Sequence, residues 1–391
     1  RMAQTALPPK NLHVLMSACA PKRREGGAAA IAYNLGRELQ ALGHQISYVF
    51  LEDLFESTTV PTRFQDLQFS RKLARYIAAN RGKFSIVHLH APAGMVYGLR
   101  RRYLGGASYP PYIMLLHGLE ERRGHVMSRE HKKGRAWHFS WKNRLWHRLY
   151  HQPRFRWSIR TADGAHTYSR DTWNLMQLKY NLDAERVAYI PNGAEARFFV
   201  PRQYPDRDGL RLLYAGTWLD QRGIFYLREA LANLIKRIPR VNMTFAGCGV
   251  SAEEIHSFFG AELAKCIEVR PAVPAEAMPG LYLEHDVFLF PSLVEGLPTV
   301  LLEAMATGMP VITAETCGMP DVVENEYNGL LIPPADSAAI ESAVMHLAGC
   351  RELRERLGTT ARETMKRYTW QRAGRQLEAF MRRILERERA S

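Results

Sequence analysis

The chain has 391 residues, enough for two domains that each bury a core. Its five cysteines are scattered with no C-x-x-C pair, which argues against a zinc site or a disulfide framework and suits a reducing compartment. No apolar run approaches the roughly 18 residues of a transmembrane helix, and the net charge of +14 is lopsided: residues 1–200 hold 31 Lys and Arg against 14 Asp and Glu, residues 201–391 hold 22 against 25.

That imbalance assigns the basic charge to the N-terminal half. Its expected partners are an anionic membrane surface, nucleic acid or an acidic substrate. The opening RMAQTALPPKN lacks the apolar centre of a signal peptide, so a cytoplasmic chain is expected.

The first buried strand is predicted over Leu12 to Ser17, followed by the loop CAPKRREGG. Ile31, Leu35, Leu39 and Leu42 then recur at helical spacing, and Gly43 ends the run. Ile46 to Leu51 reads as a second strand. This is a βαβ unit with Gly26 and Gly27 at the helix N-terminus, where a missing Cβ lets backbone approach a ligand. Many such turns carry glycine for geometry alone. Further strands are predicted over 84–90 and 112–116. The second ends at His117-Gly118, and His88 and His90 also sit near a strand end. A histidine at the carboxyl end of a parallel strand lies on the ligand side of the sheet. The pattern alone does not rank the three.

From Arg122 to Arg160 there are 12 Lys and Arg against one acid, Glu130, with seven aromatic residues interleaved. Trp137, Trp141 and Trp146 fall near helical spacing. The stretch reads as an amphipathic helix with core aromatics, or as a surface for an anionic membrane or lipid-linked acceptor. Single-stranded nucleic acid is the third possibility, and we expect no nucleic acid partner. Strands over 162–169 and 187–192 close a first domain, 1–200. The segment 200–210, with two prolines and four charges, reads as a linker. Its Asp206-Arg207-Asp208 matches a D-x-D metal motif only by chance, since no buried strand precedes it.

A second domain, 210–369, opens with a strand over Leu210 to Ala215. Helices and strands alternate from there, so both domains are expected to be doubly wound parallel sheets. The stretch FLFPSLVEGLPTVLLEAMATG, Phe288 to Gly308, is the most informative. An apolar run ends at Pro291, a polar turn follows at Glu295-Gly296, and Pro298 with Thr299 opens a helix that Gly308 stops. Strand, turn and helix point free amides and a helix dipole at an anion. Glu295 and Glu303 bracket that turn. At about 1.5 Å per residue, Glu303 lies roughly 7 Å past the helix start, so the pair can grip two points of one ligand. Solvated surface glutamates are the bland alternative. An unpaired carboxylate inside an apolar helix is costly, which weighs against it.

Glu295 and Glu303 in EGLPTVLLE, after PS and before ATGMPVI, resemble the donor-site signature of retaining GT-B glycosyltransferases of the glycogen-synthase-like and bacterial polysaccharide type (glycosyltransferase family 4, glycosyl transferases group 1). The match is strong over 286–336, moderate over 11–50 and 211–232, and poor over 119–160. The resemblance implies two Rossmann-like domains facing a cleft, with the C-terminal helix 370–391 packing back on the first domain. It implies retaining, metal-independent hexosyl transfer from a nucleotide diphosphate sugar, a UDP-sugar by family frequency. No further cofactor is implied. The acceptor would be a glycan or lipid-linked glycan, and the enzyme cytoplasmic or peripheral at the inner face of the membrane.

The resemblance also carries roles to residues. Gly26 and Gly27 would face the diphosphate and the acceptor. His117 would contact the transferred sugar, Glu295 would hold that sugar and its developing positive charge, and Glu303 would accept hydrogen bonds from the ribose. Arg222 replaces the usual lysine on the diphosphate, joined by the backbone of Gly296, Leu297 and Thr299. Thr217 stands where the family has a second cation, a departure that leaves the diphosphate one charge short. Rival readings are a nucleotide-sugar epimerase or phosphorylase on the same fold, or a non-enzymatic basic membrane-binding protein. A dinucleotide dehydrogenase is disfavoured because no G-x-G-x-x-G opens either domain.

Overall fold

The computed structural model describes residues 11–22, 27–55, 62–118, 120–137, 139–205 and 208–390. They form two compact units. Unit 1 takes in residues up to Glu121, Leu145–Asn192 and the C-terminal stretch from Trp370. Unit 2 takes in Arg122–Arg144 and Gly193–Thr369.

Unit 1 is built on β1 (His13–Ser17), β2 (Gln45–Val49), β3 (Ile86–His90), β4 (Tyr112–Leu116), β5 (Gly164–Thr167) and β6 (Val187–Tyr189). Their order is β2-β1-β3-β4-β5-β6 and every pairing is parallel. A parallel sheet is covered on both faces, so its strands are apolar throughout rather than alternating. Accordingly β3 and β4 are buried at every residue. The helix Gly27–Ala41 follows β1, and the helix Trp370–Ala390 packs along it. Gly374 permits that contact, because a Cβ there would sit 2.5 Å from the Cβ of Glu38. Leu377, Phe380, Met381 and Ile384 recur every three or four residues and bury the inner face of the terminal helix.

Unit 2 is built on β7 (Leu210–Ala215), β8 (Val241–Ala246), β9 (Ile267–Arg270), β10 (Val287–Phe290), β11 (Val311–Ala314) and β12 (Leu330–Ile332). Their order is β12-β11-β10-β7-β8-β9, again all parallel. The helix Ile224–Arg237 buries Leu227, Leu231 and Leu234. No described helix is long and apolar enough to cross a membrane.

Two expectations are corrected. The stretch 122–144 groups with unit 2 rather than with the residues that precede it, and the change of unit falls between Asn192 and Gly193 rather than within 200–210. Tyr226 donates a 2.6 Å hydrogen bond to buried Glu130, and the Trp137 ring packs 4.9 Å from Phe225 and 5.3 Å from Phe258. Trp137 therefore packs within unit 2. It shares no helix with Trp141 and Trp146, because Glu120–Lys132 ends before it and the next helix starts at Trp141. Spacing in sequence suggested one face, whereas Gly134 in a left-handed conformation breaks the run. Asp206 and Arg207 of the D-x-D match lie outside the described residues, as does Gly26.

Candidate active site

The strand order of unit 2 reverses where β7 and β10 run side by side, with Leu213 paired to Phe288. Ligands of open parallel sheets settle beyond the carboxyl ends of the strands at such a reversal. Three loops meet there. Leu293 donates its N–H to the Gln221 carbonyl at 2.9 Å, Gly318 donates to the Gly296 carbonyl at 2.9 Å, and the Glu295 N–H reaches Cys317 Sγ at 3.5 Å. The loops after β7, β10 and β11 are thus stitched into one floor.

Arg222 and Glu295 stand on that floor, paired with each other. The guanidinium also lies over the ring of Phe290, 5.4 Å from its centroid. Sequence placed these two residues 73 positions apart, and the fold makes them partners. Pro298 occupies the N-cap position, one residue earlier than expected, and the helix runs from Thr299 to Ala306. Gly296, Leu297 and Thr299 therefore form the approach to a helix N-terminus, where amides and dipole favour an anion. Thr217 is exposed on the loop after β7, and its carbonyl accepts from the Tyr214 hydroxyl at 3.1 Å.

The turn carrying Arg222 depends on Gly223. It has a φ of +77°, and a Cβ there would meet the Pro291 carbonyl oxygen at 2.1 Å. Replacing it with alanine forces both a left-handed residue and a backbone clash. Gly223→Ala is expected to cost about 2 kcal/mol or more of stability, read as a drop in the urea midpoint. An unchanged midpoint would mean the loop repacks freely.

Glu303 lies on the inner side of the Thr299–Ala306 helix, and the Tyr282 hydroxyl donates to it at 2.9 Å. Burial raises its carboxyl to about 7, an effect that the Tyr282 hydrogen bond and Arg197 only partly oppose. A carboxyl raised in the fold binds its proton more tightly there than in the unfolded chain. Its contribution to stability is present at acid pH and is lost as pH climbs from the ordinary carboxyl value through about 7. The ligand-free protein is therefore expected to melt at lower temperature as pH rises through that window, and Glu303→Gln should flatten this component. A pH-melting curve identical in the variant would rule out Glu303 as its source.

Unit 1 places His117 at the end of β4, half-buried. Its Nδ1 shares a 2.6 Å hydrogen bond with the Tyr168 hydroxyl, and its Nε2 shares one of 2.9 Å with His90 Nδ1. Both ring nitrogens are thus engaged within the unit, so contact with a sugar would require one to be released. Behind them, His88 Nε2 meets His166 Nε2 at 2.6 Å. Burial, reinforced by the neighbouring rings for His88, His90 and His166, holds all of these imidazoles neutral: His88 falls to about 3, His117 to about 4, and His90 and His166 well below their ordinary value. Gly27 opens its helix exposed, with a φ of +68°. Two candidates escaped the sequence reading. Tyr168 follows β5 directly, so the strand-end argument that selected His117 also applies to it. Tyr282 precedes β10 within LYLEHD, where no local pattern marks it out.

Paired six-stranded parallel sheets, the second with a cation and a carboxylate at its reversal point, define an α/β protein of GT-B architecture. The fold is shared with solved structures: sucrose-phosphate synthase from Thermosynechococcus elongatus has a TM-score of 0.76 at 19% identity, covering 94% of this chain and 98% of that one. HepE of Anabaena, in complex with UDP-glucose, has a TM-score of 0.68 at 16% identity, covering 94% and 98%. The family description "Glycosyl transferases group 1" matches residues 200–364, and "Glycosyltransferase Family 4" matches residues 25–198. The chain belongs to this glycosyltransferase family.

Among curated relatives, the amylovoran biosynthesis glycosyltransferase AmsK of Erwinia amylovora is 25% identical over 289 residues, 71% of this chain and 65% of AmsK. Alpha-D-kanosaminyltransferase of Streptomyces kanamyceticus is 28% identical over 221 residues, 54% of this chain and 57% of that protein. The chain thus spans less than two thirds of the length of either relative.

Proposed function

We propose that this protein transfers a hexose from a nucleotide diphosphate sugar, a UDP-sugar first among them, to a hydroxyl of a glycan or lipid-linked acceptor in polysaccharide biosynthesis, with retention at the anomeric carbon and without a metal. One observation carries the reading. Arg222, the Glu295–Gly296 turn and the start of the Thr299–Ala306 helix meet at the strand reversal of unit 2. That combination offers a cation, backbone amides and a carboxylate to one ligand.

Arg222 takes the diphosphate, for which a guanidinium is suited by its paired donors. Leaving-group charge grows as the bond from the anomeric carbon to phosphate oxygen breaks. Arg222 and the helix N-terminus stabilise that charge, the electrostatic term that usually dominates such catalysis. Glu295 then holds the transferred sugar and offsets the positive charge on its ring. The acceptor oxygen bonds to the same face of the anomeric carbon, and its proton passes to the departing phosphate. Glu303 accepts from the ribose hydroxyls, and Tyr282 fixes its carboxylate. His117 orients the sugar once Tyr168 or His90 yields a ring nitrogen.

The test is calorimetric titration with UDP-glucose, UDP-galactose, UDP-N-acetylglucosamine and GDP-mannose, followed by assay for slow hydrolysis. Binding of one donor with release of sugar and nucleoside diphosphate is expected. Conversion to a different nucleotide sugar would indicate an epimerase, and absence of binding to all four would remove the reading.

A further inference from the structure

Three neighbouring strands of unit 1, β3, β4 and β5, end in side chains that bond to one another. His90 is the last residue of β3, His117 directly follows β4, and Tyr168 directly follows β5. His90 Nδ1 lies 2.9 Å from His117 Nε2, and His117 Nδ1 lies 2.6 Å from the Tyr168 hydroxyl. His88 and His166 form a pair of their own at 2.6 Å, and among the described residues no hydrogen bond links that pair to His90 or His117. The His117 ring thus has two neighbours of different chemistry, an imidazole on one side and a phenol on the other.

Burial keeps both imidazoles neutral, so each carries one N–H and one bare lone pair. Which nitrogen holds the proton is set by the hydrogen bond that the other makes. Two arrangements are open to the pair. In the first, His117 Nε2–H donates to His90 Nδ1, and the His90 proton sits on Nε2. In the second, His90 Nδ1–H donates to His117 Nε2, and the His117 proton sits on Nδ1, facing Tyr168. His90 Nε2 decides between them, because it is buried with no hydrogen-bond partner among the described residues. The first arrangement strands an N–H there, whereas the second strands only a lone pair. An orphaned buried N–H is the rarer of the two in folded proteins, which selects the second. His90 is also the fixed member of the pair. It is buried, its carbonyl accepts from the Ala93 N–H at 2.9 Å, and the Ala91 N–H donates to the Leu115 carbonyl at 2.9 Å. Were His90 to let go of His117, its Nδ1–H would become a second unpaired nitrogen. Tyr168 gives up less, since a hydroxyl has two lone pairs and turns its proton to suit a new acceptor. Tyr168 is therefore the partner that yields.

We infer that His90 is a positioning residue for the transfer: it fixes the His117 ring and commits it to the Nδ1–H form, so that His117 donates a hydrogen bond to an oxygen of the transferred sugar where it now donates to Tyr168. The inference rests on the proposed contact between His117 and that sugar. It makes His117 a donor, so the sugar must offer a lone pair at this place. A hydroxyl meets that requirement and an ammonium group does not.

The experiment is two-bond proton–nitrogen correlation spectroscopy of the full ligand-free chain with isotope-labelled histidine at neutral pH, the His117→Gln variant assigning the His117 signals. Wild type is expected to show His117 protonated on Nδ1 and bare on Nε2. His90→Phe removes the donor and should let His117 exchange between its two forms. His90→Asn, whose amide supplies an N–H from the same position, should restore the wild-type pattern. Melting temperatures control for folding. In turnover with the donor found by titration, His90→Phe should lower kcat/KM by roughly 5- to 10-fold and should add nothing in a His117→Gln background. His117 protonated on Nε2 in wild type, or a pattern that His90→Phe does not move, would overturn the inference. The expected spectra together with full turnover by His117→Gln would instead overturn the sugar contact itself, which tells the two failures apart.

Discussion

Glu295→Gln is expected to lower kcat about 100- to 1,000-fold, the usual effect of removing one preorganised electrostatic contact to a transition state. Glutamine keeps the size and one acceptor oxygen, so the loss reports the charge rather than the shape. The structure adds a second expectation. Glu295 is paired with Arg222 in the ligand-free protein, so the two groups neutralise each other until a diphosphate arrives. Without the carboxylate, Arg222 is released for the diphosphate, and donor affinity should hold or tighten while turnover collapses. Steady-state kinetics with the donor found by titration checks both. A lower kcat with a KM that does not rise marks a contact made in the transition state. A rise in KM at constant kcat would instead make Glu295 an ordinary binding group, and the assignment of the sugar to it would fall.

Glu303→Ala should weaken nucleotide-sugar binding by about 100-fold while leaving kcat at saturating donor within a few-fold of wild type. Two hydrogen bonds from ribose hydroxyls to an ionised carboxylate are worth roughly 1.5–3 kcal/mol each. Part of that is offset by the cost of ionising a carboxyl whose value burial has raised to about 7. The Tyr282 hydroxyl survives the change with the Val300 carbonyl, 3.3 Å away, as its remaining acceptor, so the helix should stay in place. Calorimetry with the nucleoside diphosphate, its nucleoside and the 2′-deoxy nucleoside diphosphate isolates the ribose. Wild type should discriminate against the deoxy compound and the variant should not. Equal preference in both proteins would remove Glu303 from the ribose. Tyr282→Phe is the milder companion, expected to lose only the share of affinity that comes from fixing the carboxylate.

The outline of both sheets was legible in the chain because strands buried on two faces are written as short, unbroken apolar runs. Leu210 to Ala215 and Tyr112 to Leu116 stand where the runs predicted them. The Phe288 to Gly308 stretch was equally readable. Its strand, turn, helix start and glycine stop are each governed by residues within a few positions of one another, so local propensity and sterics suffice. Those same local rules put Glu295, Gly296, Thr299 and Glu303 around one turn.

What the sequence left undecided depends on partners distant in the chain. Arg222 meets Glu295, His117 lies between His90 and Tyr168, and Tyr282 reaches Glu303, only because parallel crossovers return successive strand ends to one edge of each sheet. Periodicity marks a residue as buried without saying what buries it. Trp137 illustrates this: it read as part of a continuous aromatic stripe, and Phe225 and Phe258 of unit 2 claim it. Leu104 and Leu149 illustrate the converse: apolar residues, each within a π-helical turn, that the fold leaves largely exposed. Burial pattern is set by the amino acid and its near neighbours, whereas the pairing of polar groups is set by chain crossings whose geometry no short window of sequence contains.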